Sequence, residues 1–180
     1  MLFFVAVAAV LSYLCVTVDT PLVDASLIRF DQAVGFAWPS VYHWTRSHAA
    51  LERVLAVAYE SGGWQPVGIP AISGILGRDE DLADFMLLLT LSSILLLIVS
   101  TPFPAASAYV HFNVTDPGTA ATVSGFNRLR SGTMRQFDLN AMQGLVSFPS
   151  FHTALGIFFA YVVRRSAVLF PVFAVLNATM

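Results

Sequence analysis

The chain has 180 residues, of which 57% are hydrophobic and only 11% charged, and its mean hydropathy is +0.73. Soluble domains carry about 25% charged residues, so this composition indicates a membrane protein. The net charge of −2 gives no basis for nucleic-acid binding, and the single cysteine, Cys15, excludes an internal disulfide and a cysteine-based zinc site.

Five segments are apolar enough to be predicted as membrane spans, for which about 20 mostly apolar residues are needed. They are residues 1–18, 54–77, 82–104, 145–163 and 166–180. The first segment could instead be a signal peptide, but it has no basic start and no clear cleavage site, so we expect a retained helix. The sequence therefore predicts an all-α fold, a polytopic helical bundle formed by 1–180 as a single membrane domain.

Residues 20–48 lie between the first two predicted spans and are less apolar. Asp19 can cap a helix that has Pro21 at its first position and Gly35 at its end. Tryptophan and tyrosine side chains follow, and such side chains favour the boundary between membrane and water. We expect this segment to lie on the membrane surface; the alternative is an ordinary polar loop.

Arginines in the short loops predict the orientation, because the positive-inside rule works best for short loops. Arg78 lies in one short loop, and Arg164 and Arg165 lie in the other. These loops would face the cytoplasm of a plasma or inner membrane. The long segments 19–53 and 105–144 would face the opposite side, although they contain six arginines.

The start of the fourth predicted span is unusually polar, with Pro149, Ser150 and His152 close together. Proline suits the first turn of a helix, and the free N–H groups of that turn bind anions. A serine hydroxyl can donate to an anion, and histidine exchanges a proton near neutral pH. A lone histidine here is usually an interfacial residue with a partner, so this pattern needs a second feature to indicate a site.

The second feature is a group of three arginines, Arg128, Arg130 and Arg135, in the predicted loop 105–144 that precedes this span. The planar guanidinium group matches the oxygens of a phosphate. Arginines beside a membrane usually anchor lipid headgroups. Together with the polar helix start, they predict a phosphate site at the membrane surface.

The segment "FPSFHT" resembles the second signature of the type 2 phosphatidic acid phosphatase superfamily, which more often reads Pro-Ser-Gly-His. The phenylalanine variant resembles the inositolphosphotransferase branch, related to inositol phosphorylceramide synthase. The upstream segments "PLVDASLIRFDQAVGFAWP", "YESGGWQ" and "RLRSG" also resemble that branch. The resemblance implies a core of six helices, of which about five spans are present here.

The resemblance also implies the roles of the site residues. His152 would be the general acid that protonates the leaving group, and Ser150 and the backbone N–H of Phe151 would bind phosphate. Arg130 matches the turn of the branch. Arg128 and Arg135 instead match the spacing of the family's first signature, with Gln136 in place of its proline. Both alignments with the family's arginines remain open, with Arg130 slightly favoured as the phosphate ligand.

The family's nucleophile is a second histidine, in a Gly-His-x3-Asp pattern that none of the other histidines of this chain shows. We therefore expect that the third signature follows Met180, so that 1–180 is an incomplete and inactive form of a lipid-phosphate phosphatase or headgroup transferase. The alternative is a non-catalytic protein that binds anionic lipid headgroups or a partner. A transporter component is disfavoured, because the spans show no inverted repeat.

Glu60 lies in the second predicted span, where an ionisable residue is a functional candidate. It could instead reach water, because glycines and a proline follow it. If Glu60 is functional, Tyr59 and Gln65 would line the headgroup pocket. We expect no cofactor and no metal, since histidine-based phosphoryl transfer needs none and no carboxylate cluster could hold magnesium. The expected partners are membrane lipid and a phosphorylated lipid headgroup.

Overall fold

The computed structural model describes residues 2–136 and 143–179, so 137–142 of the predicted active-site loop lie outside the described residues. Its described residues form helices and no strand, which confirms the all-α prediction. The helices are α1 Leu2–Thr17, α2 Asp24–Ala33, α3 Trp38–Arg46, α4 Ala49–Ser61, α5 Gln65–Ile75, α6 Asp79–Ser100, α7 Ala108–His111, α8 Ala120–Arg130, α9 Phe151–Val162 and α10 Leu169–Ala178. A 3₁₀ turn at Val163–Arg165 follows α9.

Within the described residues, α6 is the one helix that is long and apolar enough to cross a membrane. At 1.5 Å per residue its 22 residues extend about 33 Å, which exceeds the hydrocarbon core of about 30 Å. The other predicted spans correspond to shorter helices; the 12 residues of α9, for example, extend only about 18 Å. A bundle of five spans therefore stays a prediction.

The predicted span 54–77 is two helices rather than one. Helix α4 ends at Ser61, and α5 begins at Gln65 with Pro66 in its first turn. Glycine destabilises the interior of a helix, and proline lacks the N–H that would continue the hydrogen bonds of α4. Gly62 and Gly63 followed by Pro66 therefore explain the break.

Helix α2 starts at Asp24, three residues later than the sequence predicted, so Pro21 lies outside it. The carboxylate of Asp24 accepts hydrogen bonds of 3.0 Å from the backbone N–H groups of Ala106 and Ser107. The predicted end is correct, because Gly35 adopts a φ of +78° directly after the helix. This left-handed conformation favours glycine.

The chain forms two compact units, one of residues 1–41 and 95–150 and the other of residues 42–94 and 151–180. The core of the first unit brings together α1, α8 and the segments beside them. Its buried side chains are Tyr13, Val16, Ala106, Phe126, Leu129 and Leu145. Gly125 lies so close to Leu145 that a Cβ there would be 3.2 Å from its side chain, which explains a glycine in the middle of α8.

The core of the second unit is an aromatic cluster of α6 and α9. Phe85 of α6 packs on Phe158 and Phe159 of α9, with ring centroids 6.3 and 6.2 Å apart. Both Phe85 and Phe159 are completely buried. This packing holds the second half of α9, and α9 carries the polar residues of the predicted site at its start.

Candidate functional site

The polar segment before α9 forms the helix start that the sequence predicted, with the helix beginning slightly later. Phe151 is the first residue of α9, so Ser150 directly precedes it and Pro149 lies outside the first turn. The Phe148–Pro149 peptide bond is cis. The first N–H groups of any α-helix have no partner within the helix. Phe151 and His152 therefore supply N–H groups of the kind that bind anions.

His152 lies in the first turn of α9, and its ring stacks on the ring of Tyr59 from α4. The two ring centroids are 4.4 Å apart and the planes differ by 14°. The Tyr59 hydroxyl is 3.5 Å from Nδ1 of His152, at the outer limit of a hydrogen bond. The imidazole is partly exposed, so a ligand can reach it.

Arg130 is held by backbone groups of its own unit. Its guanidinium donates to the carbonyls of Val18, at 3.2 Å, and Thr20, at 2.7 Å, and pairs with the Asp19 carboxylate at 3.2 Å. It also lies over the Phe126 ring, 5.8 Å from the centroid. These contacts join the end of α8 to the segment after α1. Arg130 thus has a structural role that the sequence did not indicate.

Arg128 and Arg135 have exposed side chains, and neither forms an ion pair with the described residues. Arg128 lies in the last turn of α8, and Arg135 follows the turn at Gly132, whose φ is +68°. That left-handed conformation accounts for the glycine in "RLRSG". Of the three arginines, these two have guanidinium groups available to an added anion.

Gln65, a predicted pocket residue, is buried at the start of α5. Its side-chain N–H donates to the amide oxygen of Asn177 in α10 at 2.9 Å, and its oxygen accepts from the amide nitrogen of Asn177 at 3.0 Å. A further hydrogen bond of 3.1 Å reaches the hydroxyl of Ser61. The amide is fully occupied, so the structure gives Gln65 a role in packing, and contact with a headgroup stays a prediction. Glu60, by contrast, is exposed in the last turn of α4.

An ion-pair network missed by the sequence analysis joins the start of α6 to the turn after α9. Arg165 donates to Asp81 and Asp84 at 2.9 Å, and Arg164 pairs with Asp84 at 2.8 Å. Hydrogen bonds to Asp84 and Asp81 raise the pKa of the Arg165 guanidinium above its ordinary value. Arg78 approaches the second oxygen of Asp81 at 3.2 Å. The three arginines that predicted the orientation are thus all paired with carboxylates.

An apolar groove with a volume of about 790 Å³ lies along α4 and α10. Its walls include Val54, Val57 and Ala58 from α4, and Val172, Val175 and Leu176 from α10. Ala58 directly precedes Tyr59 in the chain, and Tyr59 is the residue that stacks on His152. Among residues 2–136 and 143–179, no group of three or more histidine, cysteine or acidic side chains could hold a metal ion.

Comparison with known families gives one match, to a family described as the PAP2 superfamily, over residues 25–180. No curated protein and no solved structure matches the chain. The matched range includes Tyr59, the three arginines, Ser150 and His152. Membership is therefore shown by most of the chain rather than by "FPSFHT" alone.

Proposed function

The chain belongs to the PAP2 superfamily, and we propose that it is an integral membrane protein that binds a lipid phosphate and uses His152 as a general acid. Proteins of this superfamily act on phosphorylated lipids and are generally membrane-associated. The observation that carries the proposal is the position of His152, in the first turn of α9 with its ring held on Tyr59. The reaction class is that of a lipid-phosphate phosphatase or headgroup transferase.

The proposed chemistry follows from this helix start. The phosphoryl oxygens accept hydrogen bonds from the Ser150 hydroxyl and the Phe151 N–H, and the positive end of the helix dipole favours their charge. When a nucleophile forms a bond to phosphorus, the bond between phosphorus and the bridging oxygen breaks, and that oxygen keeps the electron pair. It then takes the Nε2 proton of the His152 imidazolium, so that the lipid leaves as a neutral alcohol.

We assign the phosphate-binding arginine to Arg128 rather than Arg130, with Arg135 as a second ligand. The exposed, unpaired side chains of Arg128 and Arg135 in the described part of the chain support this assignment. Arg130 would have to leave two backbone carbonyls and Asp19 to bind an anion. A guanidinium that already donates to these groups would gain little binding free energy from an added phosphate.

The groove along α4 and α10 supports a lipid as substrate. Its apolar walls suit an acyl or isoprenoid chain, and its volume of about 790 Å³ is within the usual range of ligand pockets. One of its walls includes Ala58, which directly precedes Tyr59 in the chain. We propose that the groove takes the tail of the substrate.

Two finer proposals rest on the sequence. The Phe-Pro-Ser-Phe-His variant supports the inositolphosphotransferase branch. The second proposal is that the 1–180 polypeptide has no nucleophile of its own and does not turn over a lipid phosphate. The lack of a Gly-His-x3-Asp pattern within these 180 residues supports it. The same observation favours the alternative function, a non-catalytic protein that binds anionic lipid headgroups.

For the location, we propose a plasma or inner membrane with His152 on the side away from the cytoplasm. A membrane-impermeant maleimide on intact cells tests this in a Cys15→Ser background. Ala121→Cys, on the exposed face of α8, should be labelled, and Ala167→Cys, between Arg165 and α10, should not. The reverse labelling pattern would refute the orientation.

The test of the proposed function compares a short-chain phosphatidic acid with the matching diacylglycerol, which lacks the phosphate. The 1–180 chain in nanodiscs should bind the phosphate form more tightly, and His152→Ala should weaken that binding about tenfold, or about 1.4 kcal/mol. His111→Ala is the control, because His111 is an exposed histidine in α7. Equal binding of the two lipids, or equal effects of the two variants, would rule out the proposed site.

A further inference from the structure

Tyr59 and His152 are joined across 93 residues of sequence by the stack of their rings. The centroid distance of 4.4 Å and the 14° between the planes describe a nearly parallel contact. In such a contact the tyrosine ring covers one face of the imidazole. The edge of the imidazole, which carries both nitrogens, is not covered by this stack.

The hydroxyl of Tyr59 contributes less than its ring. Its oxygen is 3.5 Å from Nδ1, at the outer limit of a hydrogen bond, so this contact is weak. Nε2 of His152 has no hydrogen-bond partner among the described residues. Nε2 is therefore the nitrogen that is available to a ligand oxygen.

We propose that Tyr59 is the positioning residue for His152, a role that rests on the proposed function of that histidine. The ring face of Tyr59 fixes the plane of the imidazole and so directs Nε2 towards the oxygen of the leaving group. The negative π-face of tyrosine also stabilises a positive charge stacked on it, and the acid form of histidine is a cation. Both effects come from the aromatic face, so phenylalanine can supply them.

The experiment uses Tyr59→Phe, which keeps the face, and Tyr59→Leu, which removes it. Tyr161→Leu is the matched control: Tyr161 is also 49% exposed, it lies over Arg164 with 3.7 Å between ring centroid and guanidinium carbon, and it does not contact His152. Two quantities are measured on the whole 1–180 chain in micelles. They are the NMR signals of the His152 ring, assigned by their loss in His152→Ala, and the affinity for orthovanadate, which mimics a phosphate in transfer.

We expect upfield-shifted His152 ring signals in the wild-type chain, Tyr59→Phe and Tyr161→Leu, because each keeps an aromatic ring over the imidazole. In Tyr59→Leu these signals should move downfield, and vanadate affinity should fall about tenfold, since small misplacements of a catalytic group have large effects. Tyr59→Phe and Tyr161→Leu should bind vanadate within about twofold of the wild-type chain.

Three results would overturn the role of Tyr59 and leave the proposed function intact: unchanged His152 signals in Tyr59→Leu, unchanged vanadate affinity in Tyr59→Leu, or equal losses of affinity in Tyr59→Phe and Tyr59→Leu. The last result would assign the effect to the hydroxyl. A wild-type chain that does not bind vanadate would instead overturn the proposed function, and the role of Tyr59 with it.

Discussion

Gln65 and Asn177 exchange two hydrogen bonds between their side-chain amides, across 112 residues of sequence. The pair joins the start of α5 to the last turns of α10, and Gln65 is 5% exposed. Asn177 also packs on Gly156 of α9, where a Cβ would lie 3.4 Å from the Asn177 Cβ. One asparagine therefore connects α5, α9 and α10.

Truncating either amide should destabilise the fold, because the remaining amide loses its partner away from water. We expect Gln65→Ala and Asn177→Ala each to lower the free energy of unfolding by about 1–2 kcal/mol. The double variant should cost less than the sum of the two, since both remove the same interaction. Unfolding in mixed micelles measures this; additive losses would show that the two amides stabilise the chain independently.

Asp81 gives a second stability prediction. Its side chain is 1% exposed and lies between Arg165 and Arg78, so Asp81→Asn removes a buried charge from two arginines. We expect a loss of about 1–2 kcal/mol in the free energy of unfolding, since the two arginines that remain are partly exposed to solvent. Asp79→Asn is the matched control, because Asp79 is an exposed acid in the same first turn of α6. Equal losses in the two variants would assign the effect to the helix dipole rather than to the network.

Arg128 and Arg130 should respond in opposite ways to alanine. Arg130→Ala removes bonds to two carbonyls and to Asp19, so we expect about 1.5–3 kcal/mol less stability. Arg128→Ala should change stability by less than about 0.5 kcal/mol, since its side chain is exposed. Vanadate affinity should fall mainly in Arg128→Ala. A folded Arg130→Ala chain that alone loses vanadate binding would return the phosphate ligand to Arg130.

If the groove along α4 and α10 binds the lipid tail, a change in the groove should weaken binding of the tail without weakening binding of the phosphate. Val57→Trp fills the groove, so the chain should bind a long-chain lipid phosphate more weakly and orthovanadate as before. Val67→Trp is the control, because Val67 is as exposed as Val57 but does not line the groove. Loss of long-chain binding in both variants would show that the groove is not specific for the tail.

Local features of the site could be predicted from the sequence, and long-range ones could not. The helix start at "FPSFHT" depends on neighbouring residues, so the sequence predicted it to within two residues. The choice among the three arginines depends on the carbonyls of Val18 and Thr20, more than 100 residues away, and no spacing rule indicates such contacts. Arg130, slightly favoured from the sequence, is the arginine whose guanidinium is occupied.

The same distinction applies to the fold. Hydropathy predicted helices in all five apolar segments, but helix ends depend on glycine, proline and side-chain partners. Gly62, Gly63 and Pro66 divide the second predicted span. Asp24 begins α2 while its carboxylate binds the backbone at Ala106, a contact that local sequence does not indicate. The charge network of Arg165 was missed for the same reason, since its acidic partners lie about 80 residues earlier.

The most direct test of the central claim, that His152 protonates the leaving group, supplies a nucleophile from solution. The 1–180 chain is incubated with a short-chain lipid phosphate, with and without added imidazole, and release of the lipid alcohol is measured. Imidazole would form the bond to phosphorus while His152 gives its proton to the departing oxygen. We predict release that requires imidazole and is lost in His152→Ala but kept in His111→Ala. Imidazole-dependent release that His152→Ala leaves unchanged, or no release at all, would contradict the account.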